Sequence, residues 1–302
     1  MLYERVLITG ANGFLGQALV ELLSRMARYD VLATALGSEP RIQASSCGYV
    51  PMDVTDRRGI RRIFQDFAPS VVINCAAMTN VDRCETDREV CWNINAVAVK
   101  DLARECRLIG ARFVQISTDF VFDGNGGPYD EAERPNPVNT YGTAKLAGEN
   151  AARECGLMKW AVIRTNVIYG TAQGLPRTNF ALWVVEQLSA GRMIRVYTDQ
   201  VRTPTYVEDL ACGIELLVRY GKTGTYNLSG RELVSMYDFA GAVAHAFDLP
   251  SGLILPTDSG TMKQAASRPL RTGLLILKAE TELGFRPRSM QDALNQLRSR
   301  LG

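Results

Sequence analysis

Histidine is almost absent: the 302 residues carry a single one, His245. The seven cysteines (Cys47, Cys75, Cys84, Cys91, Cys106, Cys155 and Cys212) include no C-x-x-C pair. These two shortages argue against a Cys/His metal centre and against a Cys–His nucleophile pair. His245 falls in a helical pattern, Phe239 to Phe247, far in sequence from the motifs described below, and reads as structural. Scattered thiols in odd number fit a reducing compartment, so a cytoplasmic protein is expected. The formal net charge is only +2, with no basic run like a nucleic-acid arm. No apolar stretch has the length to span a bilayer, and a strand pattern begins close to residue 1. Neither a signal peptide nor a membrane segment is expected.

What the chain does have begins with Val6-Leu7-Ile8-Thr9-Gly10-Ala11-Asn12-Gly13-Phe14-Leu15-Gly16. A buried-strand run meets three glycines spaced three apart, and a helical pattern follows at once. Such a turn lets backbone N–H groups approach a dinucleotide pyrophosphate, with the helix N-terminus adding its partial positive charge. Strand patterns then alternate with helical ones: Val31–Ala35, Tyr49–Asp53, Pro69–Ala77, Arg112–Asp119 and Trp160–Thr165 are strands. Helices are expected at Arg58–Phe67, capped by Thr55 or Asp56, and in one long stretch from about Asp87 to Leu108. The alternation argues for an α/β fold with a doubly wound parallel sheet. Residues 1–165 are expected to form the dinucleotide-binding domain, with a returning segment near 201–227. Residues 166–200 and 228–302 are expected to form a smaller C-terminal α/β lobe that binds substrate.

Tyr141 and Lys145 are four apart, so a helix projects both from one face. A phenol ionises near ~10, and bringing it to ~7 takes about 4 kcal/mol of differential stabilisation. A lysine ammonium ~4 Å away, at an effective dielectric constant of ~20, supplies about that much. Alone, Tyr-x-x-x-Lys describes many solvated helix faces. Paired with the glycine turn, and with Ser117-Thr118 ending a strand between them, it describes a redox site.

These motifs resemble an extended short-chain dehydrogenase/reductase, and within that group the dTDP-4-dehydrorhamnose reductase family. The resemblance rests on Gly10-x-x-Gly13-x-x-Gly16, on Asn74-Cys75-Ala76-Ala77-Met78-Thr79-x-Val81-Asp82, and on Ser117-Thr118-Asp119-Phe120-Val121-Phe122-Asp123-Gly124. It continues in Pro137-x-Asn139-x-Tyr141-Gly142-x-x-Lys145-x-x-Gly148-Glu149, Arg164-Thr165, Thr203-Pro204-Thr205 and Ala266-Ser267-Arg268-Pro269. It implies a Rossmann sheet and reduction of the C4 ketone of a nucleotide-linked 6-deoxy-hexulose. Tyr141 would protonate the developing alkoxide, Lys145 would hold the nicotinamide ribose and lower the Tyr141 pKa, and Thr118 would bond the substrate oxygen or tune the tyrosine. Gly13, Phe14 and Leu15 would hold the pyrophosphate, Asp53 and Val54 the adenine, and Ala77, Met78 and Thr79 the ribose side. Gly10, Asn12, Gly16, Cys75, Ala76 and Asn95 complete the implied cofactor wall. Asp119 would touch the sugar, and Arg268 would take the substrate's diphosphate. Expected partners are a nucleotide-sugar substrate and, for assembly, a second copy of the chain in a homodimer.

Two departures stand out. Where the family usually carries a tryptophan against the sugar, this chain reads Arg164-Thr165-Asn166-Val167, so Val167 takes that place. The second strand ends in Ala33-Thr34-Ala35-Leu36-Gly37-Ser38 without an acid for an adenosine 2′-hydroxyl. Ser38 and Arg41 stand where a 2′-phosphate would be received, which favours NADP over NAD. Two other readings stay open. One is a non-catalytic NADP-binding regulatory subunit like that of methionine adenosyltransferase, which resembles the family and also lacks the tryptophan. The other is a nucleotide-sugar epimerase or dehydratase of the same superfamily. Phe120 after Asp119, where dehydratases carry a further carboxylate, argues against dehydration.

Overall fold

The computed structural model describes residues 3–175, 177–261 and 264–302. The first half alternates strand and helix as its apolar pattern dictates. β1 (Glu4–Thr9) leads through the glycine turn into α1 (Phe14–Ser24), then β2 (Tyr29–Ala35), β3 (Cys47–Pro51), α2 (Arg57–Phe67) and β4 (Val71–Asn74). Asp56, one of the two expected caps, accepts from the Arg58 N–H at 3.0 Å and starts α2.

The long helix expected from Asp87 to Leu108 is not one helix. The chain forms α3 (Val81–Thr86), α4 (Arg88–Trp92), a π-turn (Asn93–Val97) and α5 (Ala98–Ile109). Inside the π-turn the buried Asn95 side chain bonds the Met78 backbone of a neighbouring loop. Hydrophobic periodicity does not register one extra residue in a turn. β5 (Arg112–Thr118), α6 (Thr140–Glu154) and β6 (Trp160–Thr165) follow.

The second half is less regular: β7 (Ile168–Tyr169), α7 (Phe180–Ser189), β8 (Ile194–Tyr197), β9 (Val201–Arg202), β10 (Thr205–Tyr206) and α8 (Val207–Arg219). Then come β11 (Gly224–Asn227), β12 (Val234–Ser235), α9 (Met236–Ala246), β13 (Ile254–Thr257), α10 (Leu277–Leu283) and α11 (Met290–Leu301).

Seven strands form one parallel sheet in the order β11-β6-β5-β4-β1-β2-β3. Helices cover both faces, which is why the strands read as continuous apolar runs. Strand order reverses between β1 and β4, and the crevice above their C-terminal ends is where open α/β sheets bind ligands. On one face α1 and α8 pack through Leu19, Leu23, Leu210 and Ile214; Ala279 of α10, with Ile276 and Phe285 at its two ends, joins this same core although the sequence assigned them to the other lobe. The opposite face is held by Ile60, Phe64, Leu102 and Phe113. A separate cluster, including Tyr169, Val184, Phe239 and Leu294, forms the interior of the second lobe. Among the described residues no helix is long and apolar enough to cross a membrane.

Candidate active site

The glycine turn sits at the sheet's switch point. Gly10 has φ +65, and a Cβ there would lie 2.6 Å from the Ala76 nitrogen; one on Gly16 would lie 2.3 Å from the Gly10 oxygen. Side chains are therefore excluded where β1, β4 and α1 converge. Helix α1 starts at Gly13, with no side-chain cap and no acid in its first turn. Its N-terminal N–H groups remain for an anion, and the donor set fits a pyrophosphate. The Leu15 side chain is buried in the core, so Leu15 faces the crevice through its backbone.

Asn12 is anchored rather than open. Its Nδ2 donates to the Glu39 carbonyl at 2.9 Å, and its Oδ1 accepts from the Arg41 N–H at 2.9 Å. The Arg41 Nη1 donates to the Asn12 carbonyl at 3.1 Å. The loop carrying Ser38 and Arg41 is thus pinned beside the glycine turn, with both residues exposed. The Asp53 carboxylate accepts from the N–H and hydroxyl of Thr55, at 2.8 and 2.7 Å, and so closes its own turn; Val54 is buried. Across the crevice Cys75, Ala76, Ala77 and Met78 are half-buried and Thr79 is exposed. Burial pushes the Cys75 thiol up to about 12. Asn95 grips this loop, accepting from the Met78 N–H at 3.1 Å and donating to the Met78 carbonyl at 3.0 Å. It shapes the wall from behind.

Tyr141 and Lys145 both lie on the buried face of α6, a helix capped by Asn139, whose Oδ1 accepts from the Gly142 N–H at 2.8 Å. The expected lowering of the Tyr141 pKa by Lys145 is not found. Burial raises the phenol well above its ordinary value, the Thr118 hydroxyl pulls the other way, and Asp119, Cys84 and Cys91 raise it further. The desolvation of a buried phenolate outweighs the lysine, whose Nζ is turned to donate to the Ile116 carbonyl at 2.6 Å. Burial lowers Lys145 itself to about 8, against the charge of Glu149. A neutral phenol is a proton donor, which suits reduction of a ketone.

Much of the site's support was not anticipated. Asn74 accepts from the Thr9 hydroxyl and donates to Gln115 Oε1 at 2.7 Å, and Gln115 donates to the same Ile116 carbonyl that receives Lys145. A buried polar chain thus runs across three strands to the lysine. Behind it Glu149 accepts from Ser117 (2.6 Å), Arg164 (3.0 and 2.9 Å) and Arg153 (2.6 Å). Burial works against its charge, but the two arginines and Ser117 outweigh it and hold the carboxyl below its ordinary range. One signal was available in the sequence: Gln115 stands between the apolar residues Val114 and Ile116 in a strand that both faces of the sheet bury.

With this geometry in place, comparison with known proteins decides the family. The RmlD substrate binding domain model matches residues 4–301. The chain belongs to that family. Among solved structures it is similar to the dTDP-4-dehydrorhamnose reductase of Bacillus anthracis, crystallised in complex with NADP. The two share 30% identity and a TM-score of 0.85, over 99% of this chain and 100% of that one. Among sequences it is 32% identical over 293 residues to a probable low-salt glycan biosynthesis reductase, Agl14, of Haloferax volcanii, covering 96% of each chain. It is also 33% identical over 284 residues to the methionine adenosyltransferase 2 subunit beta of Bos taurus, covering 92% of this chain and 82% of that one. The resemblance to the dTDP-4-dehydrorhamnose reductases and to extended short-chain dehydrogenases/reductases is borne out, as is the doubly wound fold.

Within this RmlD-family chain, the residues expected against the substrate are engaged by the protein itself. The Asp119 carboxylate is buried and takes hydrogen bonds from Thr118, at 3.1 Å, and from Thr272. Arg268 is clasped by Asp82, its Nη1 and Nη2 donating at 2.9 and 2.7 Å. Val167 is half-buried against the second lobe's core and has φ +35, a left-handed backbone that a β-branched residue rarely adopts.

Proposed function

We propose that this protein reduces the C4 ketone of a nucleotide-linked 4-keto-6-deoxy sugar with a reduced nicotinamide dinucleotide. The observation that carries the reading is a buried Tyr141 with Lys145 one turn away on the same buried face of α6, at the crevice that the glycine turn opens. The α1 N-terminus with Gly10, Gly13 and Gly16 would hold the pyrophosphate. The wall from Cys75 to Met78, backed by Asn95, would hold the ribose side. Bound there, the cofactor supplies a hydride. Tyr141 gives its phenolic proton to the C4 oxygen as the carbonyl becomes an alcohol. Lys145, fixed by the Ile116 carbonyl, would hold the nicotinamide ribose and offer it a positive charge below about pH 8. Arg41 beside Asn12, with no acid at the end of β2, favours NADP over NAD. Arg268 would take the diphosphate by exchanging it for Asp82.

The test follows absorbance of NADPH or NADH with a panel of 4-keto-6-deoxy nucleotide sugars. The wild type is expected to consume cofactor on at least one. Tyr141→Phe is expected to lose about a hundredfold or more in rate, with cofactor affinity little changed. A Tyr141→Phe variant as fast as wild type would sink the mechanism. Val167 in place of the usual tryptophan, with a regulatory subunit among the relatives, supports a second reading as a cofactor-binding regulator. Tight NADPH binding without turnover on any sugar would favour it.

A further inference from the structure

The peptide groups on both sides of Arg268 are gripped by buried side chains from other elements. Before it, the Asn139 Nδ2 donates to the Ser267 carbonyl at 2.7 Å. After it, Arg202 of β9 donates through Nη2 to the Pro269 carbonyl at 2.6 Å and through Nη1 to that of Leu270 at 2.7 Å. Asp119 lies 3.5 Å behind the Arg202 Nε and matches its charge. Asn139 and Arg202 are both buried. A third grip comes from Asp82 of α3, which takes the Arg268 guanidinium and, at 3.1 Å, the Ala266 N–H. Of these three, Asn139 also caps the tyrosine helix: its Oδ1 accepts the Gly142 N–H at 2.8 Å, one residue past Tyr141. An N–H on one side and a carbonyl on the other leave the amide a single orientation. A cap needs only the oxygen, since Ser and Asp cap as well as Asn. The amide nitrogen is what capping does not explain.

We propose that Asn139 is a positioning residue: its amide nitrogen holds the Arg268 loop against the N-terminus of the tyrosine helix, and so sets how tightly the site takes the diphosphate of a nucleotide sugar. Under the proposed function the diphosphate replaces Asp82 on Arg268. Asp82 then no longer holds the guanidinium, and the carbonyls bound by Asn139 and Arg202 keep the peptide on either side of it in place. Arg202 ties that loop to β9. Asn139 ties it to the helix that carries the proton donor, so one side chain links the diphosphate end of the site to Tyr141. A guanidinium meets phosphate oxygens through a planar fork, and a loop that drifts loses both bonds of the fork together. The effect on the diphosphate rests on the proposed role of Arg268, whereas the hold on the loop is testable without any ligand.

Asn139→Ser separates the two roles: serine keeps an oxygen for the Gly142 N–H but is too short to reach Ser267 as well. Amide hydrogen exchange on the full chain is expected to speed up about three- to tenfold across residues 266–272, the worth of one hydrogen bond, while the first turn of α6 keeps its protection. In titration calorimetry dTDP is expected to bind about three- to tenfold more weakly than to wild type, and NADPH equally well. On an Arg268→Ala background, Asn139→Ser is expected to change dTDP affinity by less than about twofold, because the two residues act through one contact. With a sugar nucleotide that is turned over, KM is expected to carry the change rather than kcat. Should Asn139→Ser fail to fold, Asn139→Asp caps equally and sets a second acceptor against the Ser267 carbonyl, with the same exchange result expected. Unchanged exchange in the loop would overturn the proposal. So would a joint weakening of dTDP and NADPH, which a general loosening of α6 explains, or full additivity with Arg268→Ala. If wild type binds no dTDP while the exchange shift is present, the hold of Asn139 on the loop stands and the diphosphate reading of Arg268 fails.

Discussion

Lys145 is held where its charge is costly. Burial lowers it to about 8, so between that value and its unfolded value of ~10.4 the unfolded chain binds the extra proton, and stability rises with pH through this window. Lys145→Met is therefore expected to be more stable than wild type near neutrality, by about 1–3 kcal/mol, with the gain fading towards about pH 10. Thermal melts of both proteins across that range check the sign. A destabilised variant at neutral pH would mean that the Ile116 hydrogen bond outweighs desolvation. The same ammonium predicts that NADPH affinity in wild type weakens as pH passes about 8, whereas in Lys145→Met it stays flat; titration calorimetry reads the difference. Residue identity was legible here: Tyr141 and Lys145 stood out once their spacing was read together with the glycine turn and Ser117-Thr118. Their electrostatics were not, because a sequence records that a lysine is one turn from a tyrosine but not that its Nζ turns to a carbonyl.

At the scale of elements, the sequence placed most strands and helices within a few residues, and the misreading was the stretch around Asn95. The π-turn is locked from two sides. Asn95 bonds both backbone groups of Met78, and Gly148 of α6 packs so closely that a Cβ would lie 2.4 Å from the Asn95 oxygen. Gly148→Ala is expected to destabilise the fold by about 1–3 kcal/mol through overpacking and to weaken cofactor binding by shifting the Met78 loop. Urea unfolding with a parallel NADPH titration tests both; a change in stability with unaltered binding would detach the π-turn from the site. A second link joins the Ala266-Ser267-Arg268-Pro269 loop to α3 and α6. Arg268 clasps Asp82, and the Asn139 side chain that caps the tyrosine helix donates to the Ser267 carbonyl at 2.7 Å. If substrate must displace Asp82 from Arg268, Asp82→Asn should bind dTDP more tightly than wild type and Arg268→Ala less tightly. Equal weakening in both variants would make the clasp purely architectural.

For the molecule as a whole, buried charges tie the sheet to the tyrosine–lysine helix, and polar side chains tie the later segments to the glycine turn. Glu149 collects Ser117 from β5, Arg164 from β6 and Arg153 from its own helix. Removing one partner of such a pair leaves an uncompensated buried charge, so Glu149→Ala is expected to lose about 3–5 kcal/mol in chemical denaturation. A loss below about 1 kcal/mol, as for an exposed pair, would contradict the burial seen here. At the other end of the crevice, Gln17 of α1 donates to the Gln173 carbonyl at 2.9 Å and accepts from its N–H at 2.8 Å, tying the segment after β7 to the glycine turn. Apart from the one-turn pair Glu149–Arg153, these ties have no local signature. Gln17, Gln173, Arg202 and Thr272 are ordinary polar residues in sequence, and their partners lie tens to more than a hundred positions away.

The sequence by itself determined the sheet, the glycine turn and the tyrosine–lysine helix, because each depends on periodicity, backbone freedom or spacing within a few residues. Tertiary structure decided what those parts do to one another. Burial, not the nearby lysine, governs Tyr141. Asp119 and Arg268, which the motif alone pointed at substrate, are held by Thr118, Thr272 and Asp82. Desolvation and long-range hydrogen bonding are properties of the folded interior, and they come into being only when distant segments exclude water together.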